Sequence, residues 1–224
     1  MNQEKKKLVL LAFVLLLAGI SPNIFPAAQS GIASMSSLAV VLLIPSVVLI
    51  FILAILSQAL GYNDLRKQIL NGILAGLAGT VGLEIIREIG FHMGAMPGDM
   101  PKLLGVLLLN RFAYGPSFWS NVAGWSYHFW NGAAFGIIFS LIVGRGKIWM
   151  GIVYALLIAT GFMVSPATTS LGIGMFGLHF KVGYQFLTTV YLAHIAFGSI
   201  VGLVIYKKNK DAPNIIKRLK LAFS

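Results

Sequence analysis

The sequence predicts an all-α fold, a polytopic transmembrane bundle of six helices. Three observations predict it. Hydrophobic residues make up 58% of the 224 residues and charged residues 10%, against about 25% charged in soluble domains. The mean hydropathy is +0.86. The apolar residues form continuous runs, not the alternation over about 10 residues that a membrane β-barrel needs. An ordinary soluble domain and a disordered chain are both excluded.

The first run, Leu8 to Phe25, follows the basic triplet Lys5, Lys6, Lys7. It reads as a retained helix with an end made ragged by Pro22 and Pro26. Its basic start and the small residues Ala27 and Ala28 also fit a cleaved signal peptide. The remaining runs are Leu38–Leu60, Ile69–Ile89, Trp119–Val143, Ile148–Ser165 and Tyr184–Tyr206. Each approaches the roughly 20 residues that span about 30 Å of hydrocarbon. The chain therefore divides into an N-terminal hairpin (1–60), a four-helix core (61–206) and a basic tail (207–224). Inside the core, loop 90–118 holds the turn cluster Met96-Pro97-Gly98-Asp99-Met100-Pro101. The segment Lys102 to Leu109 is apolar enough to lie in the interface or re-enter it. The tail reads either as a frayed solubilising end or as a short basic helix on the membrane surface.

Charge orients the spans. There are 17 Lys and Arg against 6 Asp and Glu, a net charge of +11. With six spans and the N-terminus inside, Lys5–Lys7, Arg66, Lys67, Arg145, Lys147 and the tail fall on one side. Arg87, Lys102, Arg111 and Lys181 fall on the other. This bias selects cytoplasmic termini in a prokaryotic inner membrane, with loop 90–118 outward. Positive charge placed beside apolar runs points to lipid headgroups as partners and not to nucleic acid, while the small four-helix core points to a homodimer or a larger membrane complex. The absence of cysteine excludes disulfides, thiolate chemistry and Cys-ligated metals.

The core predicts a parallel tandem hairpin repeat (helices 3–4 and 5–6). His128, Gly132 and Gly136 match His194, Gly198 and Gly202 at an offset of 66. Gly72 and Gly82 match Gly151 and Gly161 at an offset of 79. Chance matching of glycine-rich helices is the plainer alternative, since a spacing of four lines one helix face. Glycine faces packed against neighbouring helices would place both histidines near the bundle interior.

Ionisable side chains inside a membrane are costly and mark function. His128 and His194 lie about 14 Å below the outer helix ends at about 1.5 Å per residue, so they share a depth. Glu84 enters from the same side, nearer the surface. Glu88 and His92 continue its face. The expected metal ligands are Glu84, His128, His194 and His92, with zinc or iron as the ion. Glu88 would act as general base and Arg87 would hold an anionic group, in hydrolysis of a lipid-like substrate. The same residues also suit a proton- or cation-coupled transporter, haem ligated by two histidines, or a non-catalytic subunit. Plain alternatives are an orienting Glu84–Arg87 salt bridge and histidines that only bond across helices. His92 and His179 lie near the surface, where histidine is cheap. Asn131 is placed to orient His128. The aromatics from Trp125 to Trp130 either belong to an interfacial belt with Trp119 or line a pocket for lipid, quinone or tetrapyrrole. No run of the form His-Glu-x2-His is present.

These stretches carry a resemblance. The Ala95-Met96-Pro97 turn, Leu104-Gly105, Gly124-Trp125 with His128 and Gly132, and Ala193-His194 with Gly198 occur in this order. Over about Gly72 to Gly202 the chain resembles a loose group of small uncharacterised prokaryotic multi-pass membrane proteins. Ala95 stands where that group has Gly. The resemblance implies no activity. It implies that the two membrane histidines recur in these surroundings.

Overall fold

The computed structural model describes residues 3–223. Among the described residues ten α-helices run in order: α1 Gln3–Gln29, α2 Met35–Leu38, α3 Ile44–Ala59, α4 Asn63–His92, α5 Met100–Leu108, α6 Phe118–Val143, α7 Ile148–Met163, α8 Pro166–Ser170, α9 Gly183–Lys208 and α10 Ile215–Phe223. Six helical spans among the described residues are long and apolar enough to cross a membrane: α1, α2–α3, α4, α6, α7–α8 and α9. Their outer surfaces expose Leu16, Val40, Val41, Ile55, Ile85 and Leu157, as suits a surface solvated by hydrocarbon.

Prolines shape two spans. A proline has no N–H for the carbonyl four residues back. Ahead of Pro45 the chain forms a π-helical turn, Ala39–Leu43, which absorbs the mismatch. α1 instead continues through Pro22 and Pro26 to Gln29, so its end is not ragged. Side chains supply donors beside the prolines. Tyr127 Oη donates to the Ser21 carbonyl at 2.8 Å, and Asn23 Nδ2 donates to the Gly19 carbonyl at 2.8 Å. α6 opens on a capping box. Ser117 Oγ accepts from the Ser120 amide, and Ser120 Oγ accepts from the Ser117 amide.

Glycines set the helix crossings. A Cβ at Gly76 would strike the backbone of Gly132, and one at Gly72 that of Gly136 and Ile137. α4 and α6 therefore approach backbone to backbone. α7 and α9 do the same through Gly151 against Gly198 and Gly202. α4 also packs on α9, with Gly79 under Phe197 and Gly90 under Thr189. The helix α5, inside loop 90–118, seats Gly105 on the backbone of Ser120 in α6.

At the opposite end the tail is not frayed. α10 docks on the bundle through Arg218, which is 2% exposed. Arg218 bonds Gln68 and pairs with Asp64 at 3.0 Å. Gln68 Nε2 donates to the Ser140 carbonyl, Ser140 Oγ donates back to the Gln68 carbonyl, and Asn209 Nδ2 donates to Ser140 Oγ. These bonds supply partners that lipid cannot provide, and only Nε of Arg218 within this set stays without one.

Candidate functional site

The antiparallel α4–α6 crossing fixes what meets what. Gly132 lies against Thr80. One turn further along each helix puts Glu84 opposite His128. His128 Nε2 donates to Glu84 Oε1 at 2.8 Å. Glu84 is therefore level with His128 and not nearer the surface. α4 runs unbroken to His92, so the span does not end at Ile89 and Glu84 lies further in than an end at Ile89 implies.

Arg87, one turn on, completes the contact. Its Nε donates to both Glu84 oxygens, at 2.8 and 2.9 Å, and its Nη2 donates to Oε2 at 2.8 Å. Nη2 also bonds Glu88 and lies 3.7 Å from Asp99. Arg87 is 4% exposed and Glu84 6%, so water screens little of this pair. Asp99 is held from the other side by Lys102 Nζ at 3.0 Å. Nη1 of Arg87 is buried without a hydrogen-bond partner.

Arg87 and His128 of this cluster border a cavity of about 710 Å³ lined from α1, α4, α5, α6, α7 and α9. Most of its wall is apolar, including Phe135, Phe162 and Phe197. Arg87, His128, His194, Asn131 and Thr80 are its main polar groups. The volume falls in the range of small-molecule sites, about 300–1,000 Å³. His194 Nδ1 donates to the Val190 carbonyl at 2.7 Å. In the neutral ring this leaves Nε2 as an acceptor, as the Glu84 contact leaves Nδ1 of His128.

The expected ligand set does not close. Among the described residues no group of three or more His, Asp or Glu is placed to hold a metal ion. The physical reason is Arg87, which occupies both oxygens of Glu84. His194 is committed on one side to a carbonyl. His92 has 79% of its side chain exposed, 3.7 Å from Glu88. Glu88 and Arg87, expected as base and anion holder, are paired with each other. Asn131 does not orient His128, since its Oδ1 accepts from Ser21 Oγ at 3.2 Å. Of the Trp125–Trp130 run, Tyr127 and His128 line the cavity, while Trp130 packs on Phe51.

Asp99 escaped the sequence reading, hidden in a turn cluster. The available signal was an acid three residues before Lys102 in an apolar loop with few other charges. The site defines the chain as a helical membrane protein with an ion cluster on the wall of an internal cavity. No family model, curated protein or solved structure matches it.

Proposed function

We propose that this integral membrane protein takes a lipid-like molecule into the cavity and presents its polar end to Glu84, Arg87 and His128. The observation that carries this reading is the Glu84–His128 hydrogen bond at the wall of a mostly apolar cavity. A carboxylate that holds one imidazole nitrogen orients the ring and leaves the other nitrogen to give or take a proton. The reaction class is acid–base chemistry on the ligand's head. A metal-assisted version would draw on the free nitrogens of His128 and His194, fewer than the roughly three protein ligands of catalytic zinc.

A second reading, a proton-linked carrier, has its own support. Glu84, Glu88 and Asp99 face Arg87 and Lys102 as permanent cations. The cluster is short of positive charge, and His128 can supply it. The tandem-repeat reading gains support from the crossings. Gly72 on Gly136 corresponds, by the two offsets, to Gly151 on Gly202. The charge bias supports placing the Lys5–Lys7 end and α10 in the cytoplasm.

Native mass spectrometry of protein extracted from its own membranes tests the main reading. The expected result is one retained amphiphile near one per chain, with retention roughly tenfold weaker in His128→Ala. A protein carrying nothing beyond bulk lipid overturns it. Stoichiometric zinc or iron, or a haem absorption band, overturns the metal-free version.

A further inference from the structure

The ends of the cavity are closed and one side is not. At the loop end Met96, Met100 and Leu104 cover it, with α5 seated on α6. Beside them α8 packs on α1, where Ser170 Oγ donates to Gln29 Oε1 at 2.7 Å. Deeper in the bundle, Tyr154 Oη donates to the Phe135 carbonyl at 3.0 Å and joins α7 to α6. Between these closures α1 and α7 both border the cavity, yet they do not pack along each other. Gly19 and Gly161 line this gap, and a Cβ on either would meet nothing within 4 Å. The other glycines of the spans lie against the backbone or side chains of a neighbouring helix. These two leave space.

The polar wall selects the head. Arg87 lines the cavity, and its Nη1 is buried without a hydrogen-bond partner. In their neutral forms His128 and His194 each keep one acceptor nitrogen. A hydroxyl satisfies both kinds, because its oxygen accepts and its proton donates. An anionic head would face Glu84, Glu88 and Asp99, which already surround Arg87. A cationic head would face the guanidinium itself.

We propose that the ligand is an uncharged long-chain alcohol dissolved in the membrane, which enters sideways from the bilayer between α1 and α7. This rests on the reading of the cavity as a lipid-like site and adds to it the route and the head group. The chain has no cysteine, so a single one can be introduced at the gap. Gly161→Cys, folded and reconstituted in phosphatidylcholine vesicles, is reacted with N-benzylmaleimide, which plugs the gap after folding. The probe is a photoactivatable long-chain alcohol in the same vesicles. Carboxylate and phosphate analogues of the same chain serve as comparators.

The alcohol is expected to label cavity-lining peptides of α6, α7 and α9. Labelling should fall roughly tenfold, about 1.4 kcal/mol of association, once the maleimide is attached. Unreacted Gly161→Cys should label like the parent protein. Cavity labelling that survives the plug overturns the lateral route. Carboxylate or phosphate probes that label as strongly overturn the uncharged head. Absence of cavity labelling by every probe removes the lipid-like reading itself, so the two failures are distinct.

Discussion

Removing Glu84 tests how the cluster is held together. Glu84→Ala deletes every hydrogen bond of the Arg87 guanidinium except that to Glu88, and the His128 bond as well. The guanidinium stays 4% exposed, so water cannot replace what is lost. Charged hydrogen bonds contribute about 1.5–3 kcal/mol each, but these act on one bidentate contact and do not add. The cost of stranding one partner of a buried pair, about 3–5 kcal/mol, is the better measure. At about 2–4 °C per kcal/mol for a chain of this length, the midpoint should fall by roughly 6–20 °C. Thermal unfolding in mild detergent, followed by tryptophan fluorescence, reads it. The double variant Glu84→Leu with Arg87→Met should recover much of the loss. It removes both charges, while Asp99 keeps Lys102 and Glu88 is 37% exposed and can be solvated. A double variant no more stable than Glu84→Ala would refute the reasoning, because the destabilisation would then not come from a stranded charge.

The glycines should divide into two classes. Gly76→Leu forces α4 from α6 and should cost at least about 3 kcal/mol, whereas Gly161→Leu should cost less than about 1 kcal/mol; comparable midpoints for the two would contradict the crossing geometry. Arg218→Ala should free α10, cost about 1–3 kcal/mol, and speed trypsin cleavage in the 207–210 segment; an unchanged digestion rate would count against a docked tail. His92→Ala should shift the midpoint by less than about 0.5 kcal/mol and leave ligand retention intact, in contrast to His128→Ala.

The spans were legible because nearly unbroken apolar runs of this length have few alternatives. The glycine faces were legible because a spacing of four marks one helix side. What the sequence hid were pairings distant along the chain. Gln68 with Ser140 and Arg218 with Gln68 are 72 and 150 residues apart, and no local pattern announces them. The depth of Glu84 was misread for a related reason. Counting from an apolar end at Ile89 treats Arg87 and Glu88 as interfacial. Mutual pairing instead lets both stay in a helix that continues to His92. The metal set is not assembled among the described residues, and the competing partner of Glu84 was visible in the sequence. Arg87 sits three residues from Glu84, at the spacing that brings two side chains together on one helix face.

The proposed parallel between the two halves has a limit, and the limit is testable. By the offset that matches Gly72 to Gly151, Glu84 corresponds to Met163. If matching glycine crossings made the positions interchangeable, a carboxylate at 163 would be tolerated. The surroundings argue otherwise. Met163 is fully buried and packs in one cluster with Ala159, Ile173, Phe186 and Val190. Met96, Phe162, Phe176 and Leu187 pack against that cluster, and His194 donates to the Val190 carbonyl. Met163→Glu would bury a carboxyl group among these apolar side chains, at a cost of several kcal/mol whether the group stays charged or takes a proton. Met163→Leu, of similar volume, should cost less than about 1.5 kcal/mol. Thermal midpoints of the two variants decide the matter. A stable Met163→Glu protein would mean that the second half can host an ion site, and the confinement of acid–base chemistry to Glu84 and His128 would have to be abandoned.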